Sequence, residues 1–490
     1  MQLKLHMVTI EDLVPADHFL RKLASALDLS FVYEETAHMY CRRYGRPPID
    51  PVVLVKYLLV GYLYGIPSER QIEERISDSI ALRWYLGIDL DERVPDHSTI
   101  SQLRRRKPAF RKVFRRLFET VVQQCIKLGL ASGRMTATDS THVRANAPRK
   151  SEYLVDMSEE PGVYWERLDA YEEEGLEELA RKTGKRRAKR TAKVKRDVRC
   201  DKKQVSHTDP EAGYLNRVGK PKGMHYLSHQ TLDTDHGIIL DVSVTPGDSS
   251  DIAQFLPQME RVKELLPVQA AAADSAYNSN LVQHELRRHG ITFFAPPQKA
   301  APISKTLISA DAFDYDALSD SFTCPTGNIL TLRTLERNHH GLYWVYRAEA
   351  AACRRCPHQE QCIPASRRAQ GRKIVRNYFE AARTLERQRL NTPEYRDALR
   401  LRQIWCEGTF AIQKRGHNLT RLTRRGIAAA EDHCLLSAAA MNLKRMIKDP
   451  PHNCAQPRHI IPADPNFEKK RNSSALFARE INLVTQPSFD

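Results

Sequence analysis

Three carboxylates stand at places in this sequence where polar groups are set apart from core packing. Asp139 follows the β-compatible run in RMTATDST, Asp274 follows the apolar run in VQAAAADSAY, and Glu407 lies within the helical stretch YRDALRLRQIWCEGTFAIQKRG. The first two read as acids at the ends of strands, and in a mixed sheet the strand ends are where ligands gather. A glutamate delivered by a packed helix would complete a set of hard oxygen donors suited to Mg2+ or Mn2+. Carboxylates have unperturbed pKa values of about 4, so all three are ready to ligate at neutral pH. Taken singly, an aspartate after a strand is more often a turn former or helix cap; the combination is what points to a metal site. Lys414 comes seven residues after Glu407, two turns along the same helix face.

A second set of ligand-type residues is separate. CRRCPHQEQC supplies Cys353, Cys356 and Cys362, and TCPTG supplies Cys324 upstream. Four thiolates can close a tetrahedral Zn2+ site, with His358 as a substitute ligand. Such a site leaves no position for water, so its zinc would be structural, a staple for an insertion expected to bury little core of its own. The alternative is a set of reduced cysteines. Cys41, Cys125, Cys200, Cys406, Cys434 and Cys454 read as ordinary free thiols. The N-terminus has no basic segment followed by an apolar core and a small-residue cleavage site, so a cytoplasmic location and no disulfide framework are expected.

The formal net charge is +16. A chain this basic seeks a polyanion, nucleic acid first, although an anionic membrane surface or an acidic protein fits the same charge. One basic segment is a helix after VPDHST, capped near Ser98 or Thr99 and carrying Arg104, Arg105 and Arg106. Another is RKTGKRRAKRTAKVKR, which includes Lys185, Arg186 and Arg187; either can grip phosphates or be a solvated face. The apolar run PVVLVKYLLVGYLYGI contains Lys56 and is too short to span a bilayer, so a buried helix and no membrane segment are expected.

The elements that must position these residues form an α/β chain. Residues 1–130 repeat apolar positions at helical spacing and read as an all-helical N-terminal domain for DNA binding or dimerisation. Residues 131–299 give strand, hairpin, helix, strand, helix, strand, a mixed sheet with a basic insertion at 150–205. In this reading the first strand ends near Asp139 and the fourth at Asp274. Residues 300–376 form a small cysteine-containing insertion, 377–448 return as helices, and 449–490 read as a loose tail.

TATDSTHVRA, AAADSAYNSN and WCEGTFAIQKRGHNLTRLTRRG resemble, in this order, the three blocks of a DDE transposase with an RNase H-like core. More narrowly, with YGIPSERQIEERISDSIALRWYLGIDLDERVPDHSTISQLRRR and AAAMNLKRM, the chain resembles bacterial insertion-sequence transposases of the IS5-like and IS1182 groups. The resemblance puts the family's metal-binding acids on Asp139, Asp274 and Glu407 and its conserved lysine on Lys414. Many relatives have tyrosine and arginine seven and four residues before the glutamate; here those places hold Arg400 and Gln403, with Arg402 only a neighbour. Ser140, Thr141, Tyr277 and His142 adjoin the acids as supporting groups. The implied activity is metal-dependent DNA cleavage at the ends of an element followed by strand transfer into target DNA. The implied partners are double-stranded DNA, both inverted-repeat ends and target, and further copies of the chain as a homodimer or higher oligomer. The implied place is the bacterial cytoplasm, with the nucleoid. The competing expectations are an RNase H-like nuclease without strand transfer and an inactive transposase-derived DNA-binding protein.

Overall fold

The helix α1 (Pro51–Leu63) is apolar on nearly every side because it is enclosed on nearly every side. Asp50 caps it, accepting the Val52 amide at 2.7 Å, and Pro51 occupies its first turn, where no amide hydrogen is needed. The helices α2 (Glu69–Asp78), α3 (His97–Arg106) and α4 (Phe110–Lys127) follow. The last described helix, Ile427–Lys448, packs against both α1 and α4, so the N-terminal helices share a core with the rest. The structure is a computed structural model, and it describes residues 8–39, 49–106, 110–157, 163–184, 201–217, 219–298, 308–338 and 341–448.

The central sheet is built from β1 (Thr136–Arg144), β2 (Gly223–Asp233), β3 (Ile239–Pro246), β4 (Ala270–Ala272) and β5 (Thr292–Phe294), with the short strand Gly213–Leu215 pairing the start of β2. Their spatial order is β3-β2-β1-β4-β5; the first three are antiparallel, and β4 and β5 run parallel to β1. This mixed α/β arrangement is an RNase H-like core. One expectation needs correction: β1 does not end at Asp139 but continues to Arg144. Thr141 and Val143 suit a pleated strand and extend the ladder with β2 as far as His225. Asp274 lies just past β4 rather than within it.

Helices cover both faces. On one, Phe255 and Met259 of α6 (Asp251–Leu265) and Val282 and Leu286 of α7 (Asn280–Arg288) pack with Ala271, Ala273 and Phe293. On the other, Tyr395 and Ala398 of α8 (Pro393–Arg402) pack on Ala272 and Phe294. Alanines along β4 let both layers approach closely, and each fully buried large side chain contributes about 1.5–3 kcal/mol. At the outer edge, Asn442 of α10 (Ile427–Lys448) accepts the Ile239 amide at 2.9 Å and donates to its carbonyl at 2.8 Å, which closes part of an edge otherwise open to another strand.

Two excursions leave this core. The first is a two-stranded ribbon, Glu152–Met157 with Asp201–Ser206, that carries α5 (Val163–Thr183). The basic run with Lys185, Arg186 and Arg187 lies outside the described residues, as does the tail 449–490. The second is an antiparallel five-stranded sheet: Asp314–Asp316, Ser321–Thr323, Ile329–Asn338, Gly341–Ala348 and Lys373–Asn377. The insertion was expected to bury little. Instead Phe313, Phe322, Leu330, Trp344, Tyr346 and Ile374 form a core there, closed by Leu179 of α5.

Candidate active site

The parallel pairing of β1 with β4 sets Ala137 opposite Ala272. Carried two residues further, that register brings Asp139 beside Asp274, and strand alternation turns both toward the face covered by α8. From α8 the chain passes through a π-helical turn, Gln403–Glu407, into α9 (Gly408–Gly416). Arg402 ends α8, and its Nη2 lies 2.7 Å from Asp139 Oδ2. Asp139 Oδ1 accepts the Ser140 amide at 2.8 Å, Asp274 Oδ1 accepts the Ala276 amide at 2.9 Å, and Glu407 is exposed at the end of the π-turn.

Burial disfavours a charged guanidinium at Arg402, but the fields of Asp139, Asp274 and Glu407 outweigh it and hold the proton on. Asp139 is paired with this cation, and Asp274 and Glu407 lie near enough for their charges to act on it. The three acids do not fall within 4.8 Å of one another. The group of described residues that does, Glu73, Asp96 and His97, is accounted for by helix capping: Asp96 accepts the Ser98 amide and Glu73 the His97 amide at the start of α3. The cap of α3 is therefore Asp96, not Ser98 or Thr99.

The π-turn bears on the arginine. It holds one residue more than the α-helical turn it replaces. Arg402, five residues before Glu407 in sequence, therefore stands close to where a four-residue offset would fall on a regular helix. Reading the sequence with α-helical spacing makes Gln403 the relevant position and Arg402 a bystander; the structure puts the Arg402 guanidinium on Asp139 instead.

Asp139 is raised to about 6: burial lifts it most, Arg402 and the Ser140 amide pull it down, and Asp274 and Asp251 push it up. Its folded value lies above the 3.8 of an unperturbed aspartate. Asp139 thus contributes stability that is fully present below about pH 4 and is lost as pH rises through about 6. A divalent ion binds the ionised form, so Mg2+ is expected to raise Tm more at about pH 7.5 than at about pH 5. Equal shifts in thermal melts at the two pH values would contradict this.

A fourth acid lies outside the three sequence blocks. Asp251, buried in the first turn of α6, accepts the Ser140 hydroxyl at 3.0 Å and Arg217 Nη1 at 2.6 Å. Ser140 thereby ties Asp251 to the residue next to Asp139. Tyr277 is buried beside these acids, and burial with the charges of Asp251 and Asp139 raises its phenol well above the usual range. Thr141 is buried beneath. His142 stacks edge-on against His225 at 5.5 Å, and burial lowers it to about 4, so it is neutral at physiological pH.

Lys414 is half-buried; burial and Lys220 lower its pKa, and its charge reaches both His142 and His225. Those histidines line a cavity of about 330 Å3 with Arg144, Arg149 and Lys222. A cationic surface therefore runs on from the acids along β1.

The arginines of α3 fare differently. Arg104 is buried, its Nη1 lies 2.6 Å from Glu69 Oε1, and its guanidinium rests over Phe114. It ties α3 to α2 and is not presented to a partner, which corrects the DNA-binding expectation for this residue. The side chains of Arg105 and Arg106 lie outside those described. Arg104→Ala leaves Glu69 without its partner and is expected to cost about 3 kcal/mol of stability, measured by urea unfolding, with DNA affinity of the folded fraction unchanged. A selective loss of affinity would restore Arg104 to the interface.

Two family models match the chain: a transposase domain (DUF772) over residues 8–106 and a transposase DDE domain over residues 323–447. No curated protein matches. Among solved structures, the chain is similar to piggyBac transposase in a synaptic complex with hairpin DNA, at 9% identity and a TM-score of 0.34, over 87% of this chain and 72% of that one. It is also similar to Mos1 transposase in a paired-end complex with the left transposon end, at 10% identity and a TM-score of 0.15, over 52% of this chain and 61% of that one.

Proposed function

We propose that this chain, which belongs to the DDE transposases of insertion sequences, cuts and joins DNA with Asp139, Asp274 and Glu407 as its metal-holding acids. One observation carries the assignment: Arg402 pairs with Asp139 of β1, and the charges of Asp274, just past β4, and of Glu407, in the π-turn, act on the same guanidinium. DDE transposases depend on divalent metal, and three carboxylates are a hard oxygen donor set of the kind that Mg2+ or Mn2+ takes. When bound, such ions activate the attacking oxygen and stabilise the leaving one.

The protein's own groups prepare that chemistry. Ser140 fixes one oxygen of Asp139 through its amide, the Ala276 amide fixes Asp274, and Asp251 braces Ser140 from behind. Water attacks the phosphorus at an element end, and the 3′-oxygen leaves with a proton as the 3′-hydroxyl. That hydroxyl then attacks a target phosphodiester and displaces its 3′-oxygen; no protein nucleophile is required. Lys414 and the cationic cavity beside His142 hold the backbone next to the scissile bond.

The partner in this reading is double-stranded DNA, both inverted-repeat ends and target, held by two or more copies of the chain on the nucleoid. Among the described residues no helix is long and apolar enough to cross a membrane. Zinc in the cysteine insertion would have no part in the reaction.

Binding to end DNA is expected to weaken with salt at a log–log slope of about −0.9 per neutralised phosphate, read by fluorescence anisotropy. A flat salt response would remove the cationic surface from the interface. The function itself is tested by incubating the protein with element ends, target DNA and Mg2+. Joined product is the expected result; cleavage without joining would reduce the protein to a nuclease, and binding without cleavage to an inactive relative.

A further inference from the structure

We propose that Cys324, Cys353, Cys356 and Cys362 hold one structural zinc ion at the end of the five-stranded sheet, independent of the acid site. The four thiols come from three places: the turn after Ser321–Thr323, the helix Ala350–Arg354 with the turn that follows it, and the short helix Gln359–Cys362. They line one small cavity of about 30 Å3, large enough to hold an ion. None of the four is in a disulfide.

The backbone around them is arranged to stabilise thiolates. Cys324 opens a tight turn: its carbonyl accepts the Gly327 amide at 2.8 Å, and its sulfur accepts the Asn328 amide at 3.3 Å. Gly327 has φ +83, a left-handed conformation that favours glycine. Cys353 Sγ accepts the Arg372 amide at 3.5 Å, and the Cys356 amide folds back onto the Cys353 carbonyl at 3.2 Å. Amide-to-sulfur bonds of this kind offset the negative charge of a bound thiolate and fix its direction. The Thr326 hydroxyl lies 3.1 Å from Cys324 Sγ and 3.8 Å from Cys356 Sγ, which links the two sides of the cavity.

Arg372 completes the surroundings. It donates to the carbonyls of Cys362 and Ile308 and stacks over Phe313, a fixed positive charge beside a site that would carry two negative charges with four thiolates on one Zn2+. His358 also lines the cavity, but four sulfurs suffice for a tetrahedron. No three of the thiols lie within 4.8 Å of one another, so zinc would draw the Cys356–Cys362 segment inward and tighten the loop between Gly341–Ala348 and Lys373–Asn377.

The test is metal content of the full-length chain after desalting, together with the absorption of its cobalt-substituted form. About one zinc per chain and intense thiolate-to-cobalt charge-transfer bands near 350 nm are expected. Cys356→Ser with Cys362→Ser is expected to lose both signals, whereas His358→Ala and Asp139→Asn keep them. Metal-free wild type with an intact fold would overturn the proposal. So would zinc retained in the double variant, or zinc lost in Asp139→Asn. If the double variant does not fold, the cobalt bands of wild type decide alone, since carboxylate or histidine ligation gives none.

Discussion

Asp139→Asn is expected to lower DNA strand cleavage at an element end by about 1,000-fold or more while end binding stays within about twofold of wild type. The substitution keeps the size of the side chain and the oxygen that accepts the Ser140 amide. It removes the negative charge that a divalent ion needs from β1. A loss of about 4 kcal/mol of transition-state stabilisation corresponds to a factor of about 1,000. Because the substitution also takes the paired carboxylate from Arg402, folding is checked alongside by urea unfolding. Cleavage on gels with anisotropy in parallel reads both quantities; cleavage at the wild-type rate would take Asp139 out of the reaction.

The second large effect concerns Arg402. Its guanidinium and the Asp139 carboxylate form an ion pair in which both side chains are mostly buried, 17% and 15% exposed. Removing one partner of such a pair leaves an uncompensated charge, and losses of about 3–5 kcal/mol are typical. At about pH 8, where Asp139 is ionised, Arg402→Ala in metal-free protein is expected to lose about 3 kcal/mol in urea unfolding. Mg2+ should then restore more stability to the variant than it adds to wild type, because the ion takes over the charge that the guanidinium balanced. A variant and a wild type that respond equally to Mg2+ would mean that the arginine and the metal do not share a place.

Much of this was readable in the residues. The hairpin of β2 and β3, the helices α6 and α7 and the strands β4 and β5 all announce themselves through alternation, turn residues and caps. Asp139 and Asp274 could be picked out because each interrupts an apolar or β-compatible run. Arg402 could not, since α-helical counting has no place for the extra residue of a π-turn, and only the fold shows the resulting shift in face. Asp251 could not be linked to the site either; its tie to Ser140 joins α6 to β1 across 111 positions, which no local pattern reveals. Arg104 misled for the opposite reason. Three successive arginines look like a solvated grip on phosphate, but α3 turns Arg104 inward onto Glu69. The five-stranded sheet was missed because the cysteines drew the reading of that segment, although TLRTLER and GLYWVYRA alternate as strands do.

The central claim is that Asp139, Asp274 and Glu407 share divalent cations. Iron(II) can replace Mg2+ on carboxylate sites. With ascorbate and peroxide it breaks the polypeptide backbone beside the ligands. Mapping the fragments of the full-length protein on its DNA therefore reads the metal's position directly. Scission near residues 139, 274 and 407 together, suppressed by excess Mg2+ and lost in Asp139→Asn, is the result this account predicts. Scission confined to one of those segments, or centred on Glu73, Asp96 and His97, would contradict it.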